Sequence, residues 1–478
     1  MTYEPVIGLE VHVQLNTATK IFCRCSTKFG AGANTQTCPV CQGQPGVLPV
    51  LNEEVLKKGI LAGLAINSTV AGYSKFDRKN YFYPDLPKAY QISQYDRPIC
   101  EGGYIEINTP PGGKRIGITR LHLEEDAGKS IHSEDPKKNI SYVDLNRTGV
   151  PLAEIVSEPD IRSADEAYEY LQNLKTIMKY IGVSDVNMEE GSLRCDVNIS
   201  LREAGTEPFG EKVEIKNLNS FKAVKAAINY EIERQKKLLE EGEKSAIVQE
   251  TRLWDADRMV TYSMRSKEDA HDYRYFPDPD LPPIIIAEDY IETLRKSLPE
   301  LPAEKKRRFI DQYELSDVDA AILVSTRQLA DYFEAVIKEG ATAKRTSNWI
   351  LSELLARIDD PESLDRYIVT PSHMARLLKL IDNDTISGKI AKNIFDEMIK
   401  TGDDPEKIVE EKGMKQVTDL SEIEPVIERI IRENPQSVED YRNGKEKALG
   451  FLVGQAMKET KGKANPQIVN QLLREKMS

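Results

Sequence analysis

Along residues 6–15 apolar and polar side chains alternate. Ile7, Leu9, Val11, Val13 and Leu15 take one parity, and Gly8, Glu10, His12 and Gln14 take the other. Period two is that of a half-buried β-strand whose odd positions face a core. The same alternation over 116–124, 194–202 and 212–217 predicts three more strands. Their polar parities are rich in charge. "RCDVNISLR" carries Arg194, Asp196, Asn198, Ser200 and Arg202, and "KVEIK" carries Glu214 and Lys216. "GITRLHLEED" carries Arg120, His122 and Glu124, with Glu125 and Asp126 at the strand end.

Helical periodicity appears at 164–181, where Ala167, Leu171, Leu174, Met178 and Ile181 form a stripe. Ser163 and Glu166 have capping-box spacing, and Gly182 ends the helix. A second helix is predicted over 221–241, closed by Gly242. After "FPDPDLPP" the pattern becomes helical throughout, with stripes such as Ala320, Leu323, Val324 and Asn348, Leu351, Leu355. A break at "TGDDPE" precedes a last helical segment, in which Leu449, Leu452, Val453, Ala456 and Met457 share a face. The expected class is α+β: a large antiparallel-sheet domain over 1–292, a helical domain over 293–405 and a small helical tail over 406–478.

A chain of 478 residues exceeds what one core organises, in keeping with several domains. No apolar run approaches the roughly 18 residues of a membrane span. The first residues lack the basic-then-apolar order of a secretory signal, so a cytoplasmic location is expected. The formal charge of −13 is unevenly spread: from Tyr441 onward eight Lys/Arg face three Glu, a segment of +5 that leaves −18 elsewhere. A basic tail on an acidic body can reach a polyanion, or be a solvated helical surface.

Four of the six cysteines cluster. Cys23 and Cys25, then twelve residues, then Cys38 and Cys41 make two close pairs across a Gly-rich loop, the spacing of a closed structural zinc site, with four unrelated buried thiols the other reading. Cys100 and Cys195 stand apart as packing residues. If the charged strands share one sheet, their carboxylates repel unless a cation compensates. Magnesium takes carboxylates and substrate phosphates. His12 is an unusual magnesium ligand, since imidazole suits zinc or manganese better. Charges dispersed over separate sheets remain the alternative. No P-loop exists around Gly128-Lys129-Ser130, because position 123 is Leu.

The stretches "IGLEVHVQL", "CPVCQGQPG", "FYPDLPKAYQISQYDRPI", "VDLNRTGVPLAEIVSEPD", "MEEGSLRCDVNIS", "VEIKNLNSF" and "YRYFPDPDLPP" carry a resemblance. In this order they resemble the B subunits of glutamine-dependent aspartyl/glutamyl-tRNA amidotransferases, and the likeness runs over essentially the whole chain. The resemblance implies a cradle domain similar to glutamine synthetase. It also implies ATP-dependent phosphorylation of the side-chain carboxylate of Glu-tRNA(Gln) or Asp-tRNA(Asn), followed by amidation.

It further implies Mg²⁺ held by Glu10, His12, Glu124 and Glu125, with Glu189, Glu190, Asp196 and Glu214 as further candidates. Arg194 and Lys216 are the candidate phosphate contacts. No amidase or Cys–His nucleophile pattern is evident, and His122, His132, His271 and His373 read as structural or surface residues. The resemblance therefore implies an A subunit acting as glutaminase and a C subunit, in a heterotrimer. Ammonia would reach this chain by a channel, for which Lys79, Tyr81, Asp85 and Lys88 are candidates, with loop packing the other reading. Zinc on Cys23, Cys25, Cys38 and Cys41 would be scaffolding. Arg442, Lys445, Lys458, Lys461 and Lys463 are the candidate tRNA contacts. Two rival readings are a non-catalytic tRNA-docking subunit and a stand-alone amide ligase using free ammonia.

Overall fold

A computed structural model describes residues 2–109, 112–133, 140–266, 272–413, 420–460 and 464–477. The chain divides into two compact units, Met1–Pro302 and Ala303–Ser478.

The first unit is mixed α/β. Its elements are β1 (Tyr3–Gln14), α1 (Glu53–Ala65), β2 (Asp77–Asn80), β3 (Tyr90–Ser93), β4 (Gly112–Glu125) and β5 (Pro151–Ser157). There follow α2 (Ala164–Tyr180), β6 (Leu193–Glu203), β7 (Val213–Lys216), α3 (Phe221–Glu240), β8 (Glu250–Asp255) and β9 (Val260–Ser266). Among the described residues these strands belong to one 13-stranded sheet, in the order β9-β8-β7-β6-β1-β5-β4-β3-β2. Every pairing along that path is antiparallel except β7 with β8.

Strand β1 is central because its odd parity is wholly apolar. Ile7, Leu9, Val11 and Val13 are buried against Leu171, Leu174 and Met178 of α2 and Val224, Ala227 and Ile228 of α3. Burying each such large side chain contributes about 1.5–3 kcal/mol. The helices start where the sequence predicts. Ser163 Oγ accepts the Glu166 N–H at 3.1 Å, and Ser220 Oγ accepts the Ala223 N–H at 3.0 Å. Glu166 does not close the box on Ser163. Its Oε2 instead accepts the backbone N–H of Arg162, the residue before Ser163, and pairs with Lys114, each at 2.7 Å.

The second unit is helical and carries two apolar cores. One gathers Phe309, Phe333, Leu378 and Phe395 and extends to Ile408 and Val409. The other gathers Ile427, Leu452, Val469 and Leu473, from helices Leu420–Glu433, Lys447–Glu459 and Pro466–Met477. No helix among the described residues is long and apolar enough to cross a membrane.

Candidate active site

The register of the three central strands sets the site. His12 on β1 lies opposite Glu154 on β5, which lies opposite His122 on β4. Directly opposed residues have Cβ atoms about 4.5–5.5 Å apart, so these three side chains form a row across the sheet. Glu10 and Glu124 extend the row along β1 and β4, two residues away on the same face. His12 Nε2 is 3.3 Å from Glu154 Oε2, 3.5 Å from Glu124 Oε1 and 3.9 Å from Glu10 Oε1. His122 Nε2 is 3.4 Å from Glu154 Oε2 and 3.6 Å from Glu124 Oε2. Glu124 also accepts from Ser93 Oγ at 3.2 Å. His122, Glu124 and Glu154 are buried, whereas Glu10 and His12 are half-buried at the open side.

Burial opposes charge on every member of this row, and on all but Glu10 the neighbouring charges override it. Burial would lower His12, but its hydrogen bond to Glu154 and the field of Glu124 hold it above the ordinary imidazole range. For His122 burial again acts downward, and Glu154 with Glu124 outweighs it, bringing the group to about 9. Burial would raise Glu154 and Glu124, yet the two imidazoles pull Glu154 well below and Glu124 below the usual carboxylate range. Glu10 goes the other way, raised first by burial and then by Glu154. Two imidazoliums thus balance the two buried carboxylates.

Ligand atoms of Glu10, His12 and Glu154, and those of His122, Glu124 and Glu154, lie within 4.8 Å of one another. Three carboxylates with two imidazoles fit a divalent cation of mixed oxygen and nitrogen preference, with manganese better matched than magnesium by the imidazoles.

A stability prediction follows from His122. Its folded pKa of about 9 lies above the unfolded value of about 6.5, so its contribution is complete below pH 6.5 and is lost as pH rises through 9. In metal-free protein, urea midpoints are expected to fall between pH 7 and 10, and less so in His122→Gln. Equal falls in both proteins would contradict this.

Other candidates fall elsewhere. Glu125 follows Glu124 in an extended strand and so faces the opposite side. It is buried, ion-paired with Lys88, and accepts the Ile92 N–H at 2.9 Å. The structure does not bring it to the row. Glu189 and Glu190 are exposed on the turn before β6. Asp196 lies opposite Glu10, but both Asp196 and Glu214 are bound by Lys216, at 2.8 and 3.1 Å. Arg194, opposite His12, pairs with Asp126 at 2.7 Å and keeps a buried Nε without a partner. Lys79 stands over the rings of Tyr273 (4.9 Å) and Tyr81 (5.9 Å); burial would lower its pKa, but Glu124 and its neighbours raise it. Asp85 is buried, which raises its carboxyl.

In the second unit, Arg442 Nε donates to the Met477 carbonyl at 2.8 Å, and Lys445 pairs with Asp440 at 2.9 Å. Lys458 lies in the last turn of helix Lys447–Glu459. Lys461, Lys463, His271 and the His132 side chain lie outside the described residues.

The four clustered thiols converge, with ligand atoms within 4.8 Å of one another and Cys38 and Cys41 sulfurs 3.9 Å apart. Four sulfurs about 2.3 Å from a tetrahedral centre stand roughly 3.8 Å apart, so the set fits zinc. A hydrogen bond from Cys23, aided by the Lys20 ammonium, draws the Cys41 thiol down to about 4, while burial pushes Cys25 up to about 11. Lys20 is fully buried, and its Nζ donates to Cys41 Sγ at 3.6 Å and to the Leu145 carbonyl at 3.3 Å. A buried cation on a ligand thiolate stabilises the metal-binding form. Lys20→Met is therefore expected to weaken zinc binding roughly 10- to 100-fold in chelator competition, and unchanged affinity would contradict it.

Of the row's residues, Glu154 escapes a reading by alternation, while His122, which alternation places on the polar parity but which reads as structural or surface, stands against Glu124 and Glu154. Glu154 sits in β5, which is buried on both faces, so "PLAEIVS" looks like a plain core strand. A lone acid inside such a run is the available signal, since a buried carboxylate needs a partner.

A buried row of carboxylates and imidazoles with shifted pKa values, on an antiparallel sheet, is the candidate functional site of this unit. Residues 5–292 match the GatB/GatE catalytic domain family and residues 331–477 the GatB domain family. The chain is 58% identical over 478 residues to the B subunit of the aspartyl/glutamyl-tRNA(Asn/Gln) amidotransferase of Carboxydothermus hydrogenoformans, covering 100% of this chain and 99% of that one. It is 57% identical over 479 residues to the B subunit of the same enzyme from Caldanaerobacter subterraneus subsp. tengcongensis and 56% identical to that of Geotalea daltonii, with both chains covered completely in each case. The chain belongs to the GatB/GatE family.

Proposed function

We propose that the chain is the B subunit of an aspartyl/glutamyl-tRNA(Asn/Gln) amidotransferase and that its acidic row is where the side-chain carboxylate of misacylated tRNA is activated. The observation that carries this is the convergence of Glu10, His12, Glu124, Glu154 and His122.

A carboxylate at neutral pH is a poor electrophile. One of its oxygens attacks the γ-phosphorus of ATP, the bond to ADP breaks, and an acyl phosphate forms. Ammonia then attacks the acyl carbon, the carbon–oxygen bond to phosphate breaks, and the amide nitrogen loses a proton. The row would hold Mg²⁺ or Mn²⁺, which would neutralise charge on the triphosphate. Arg194 and Lys216 flank the row on β6 and β7, and can exchange Asp126 and Asp196 for phosphate oxygens. Positioning and charge compensation of this kind are most of what phosphoryl transfer requires.

Ammonia would come from a glutaminase A subunit, with a C subunit completing the complex. Lys79 among its tyrosines, Tyr81, Asp85 and the buried Lys88–Glu125 pair are polar groups suited to pass it. The four thiols would hold zinc as a scaffold. Residues 1–292 would be catalytic, 293–405 a helical spacer, and 406–478 the tRNA-binding part. There Lys445 and Lys458, with Lys461 and Lys463, would meet phosphates in a salt-dependent way.

The test uses the chain co-purified with its A and C partners, [γ-³²P]ATP and Glu-tRNA(Gln), without amide donor. Charged tRNA is expected to stimulate ATP cleavage, and Glu124→Gln and His12→Ala to lose it at least about a hundredfold while still binding tRNA. Normal cleavage by both variants would contradict the reading.

A further inference from the structure

The thiol cluster and the Lys88–Glu125 pair share a cavity. Its volume is about 30 Å³, and Lys20, Cys23, Cys41, Lys88, Glu125 and Gly149 are among its lining residues. It has room for a water-sized molecule.

We propose that the thiol cluster positions the Lys88–Glu125 pair, so that zinc on Cys23, Cys25, Cys38 and Cys41 governs the delivery of ammonia as well as the fold of its own loop. The inference rests on the reading of the chain as an amidating subunit, and it gives the zinc loop a part in that reaction.

The loop holds the pair from two sides. Gly43, two residues past Cys41, has φ +67° and lies on the stem of Lys88. A Cβ there would overlap Lys88 Cγ and stand 3.3 Å from Lys88 Cα. Only glycine permits so close an approach at a left-handed backbone position. On the side of Glu125 the wall is Gly149, with φ +80°. A Cβ on Gly149 would stand 3.5 Å from Lys20 Cδ, 3.6 Å from Cys41 Cβ and 3.9 Å from Glu125 Oε2. One residue without a side chain therefore separates the thiol and its lysine from the carboxylate. The Ile21 N–H donates to the Gly149 carbonyl at 2.9 Å, which ties the start of the loop to that wall.

Charge couples the two groups as well. Zinc on four thiolates carries a net charge of about −2, and the fully buried Lys20, 3.6 Å from Cys41 Sγ, offsets part of it. When the loop opens without zinc, Lys20 loses that counter-charge, and a buried cation without a partner is costly. It then turns to Glu125, the carboxylate on the same cavity, and competes with Lys88 for it.

Ammonia needs the pair intact. The hydrogen bonds of the Glu125 carboxylate among the described residues fall on Oε1, from Lys88 Nζ and the Ile92 N–H. Oε2 is left to accept an N–H of ammonia, and a Lys88 N–H can donate to the ammonia lone pair. Displacing either partner removes half of that arrangement.

The experiment compares the intact zinc-loaded complex, the same complex stripped with a chelator and resupplied with Mg²⁺, and Gly43→Ala. Hydrogen exchange of the segment containing the Ile92 amide, followed by mass spectrometry, reports on Glu125 without requiring turnover. Exchange there is expected to quicken at least about tenfold in the stripped complex and in Gly43→Ala, with α2 unchanged. Glutamine hydrolysed per amide formed is expected to rise roughly 5- to 50-fold, while tRNA-stimulated ATP cleavage stays within about twofold of the zinc-loaded wild type. If Gly43→Ala does not fold, the stripped wild type decides alone. Unchanged exchange at Ile92 in a complex shown by metal analysis to lack zinc would overturn the inference, as would ATP cleavage falling in parallel with amide formation. Either result leaves the proposed function standing. A wild-type complex that hydrolyses glutamine and forms no amide would overturn the proposed function, and the Ile92 exchange would still decide whether the cluster holds the pair.

Discussion

Glu154→Gln is expected to abolish tRNA-stimulated ATP cleavage, by at least about a hundredfold, with almost no change in side-chain volume. Glu154 touches both imidazoles, at 3.3 and 3.4 Å, and belongs to both groups of convergent ligand atoms. Its Oε1 is also 3.8 Å from Arg120. A neutral amide there leaves His12 and His122 without their shared counter-charge. Breaking a buried pair by removing one partner costs about 3–5 kcal/mol, so a lower melting temperature should accompany the loss. Cleavage within twofold of wild type, in protein shown to carry the substitution, would remove Glu154 from the site.

Cys41→Ser is expected to empty the thiol cluster and loosen the loop that it closes. Residues 23–41 contain almost no regular structure and are mostly half-buried or exposed, so little besides the sulfurs orders them. Zinc binding by such a loop is itself folding free energy. Metal analysis should give about one zinc per wild-type chain and close to none in the variant, with proteolysis appearing between Cys25 and Cys38. Wild-type protein purified without zinc, or a variant that keeps it, would contradict the assignment. The acidic row belongs to β1, β4 and β5 and not to this loop, so ATP cleavage should fall far less than in Glu154→Gln.

What the sequence made legible follows from how each part encodes itself. Strand β1 has one wet and one dry face, and its alternation places Glu10 and His12 together on the polar one. The same holds for β6 and for the Glu124 end of β4. The thiol cluster is legible because metal sites need particular residues at short spacing. Strand β5 is not, because burial on both faces erases the alternation that would have exposed Glu154. His122 gains its meaning only from the pairing of β4 with β5, a contact spanning some thirty positions of chain. Glu124 and Glu125 carry the opposite lesson: adjacent acids suggest joint ligation, but strand geometry sends them to opposite faces. Partnering of Arg194 and Lys216 with aspartates is likewise a product of register.

The most direct measurement of the central claim follows an oxygen atom. Glu-tRNA(Gln) labelled with ¹⁸O in the side-chain carboxylate would be incubated with the complex, ATP and ammonia, and the inorganic phosphate analysed by mass spectrometry. Activation by phosphorylation places a carboxylate oxygen between carbon and phosphorus, and amidation then releases it with the phosphate. The account predicts ¹⁸O in phosphate in proportion to amide formed by the wild type, and neither product with Glu154→Gln. Amide formed with unlabelled phosphate would contradict carboxylate activation, and labelled phosphate from Glu154→Gln at the wild-type rate would contradict the placement of the site.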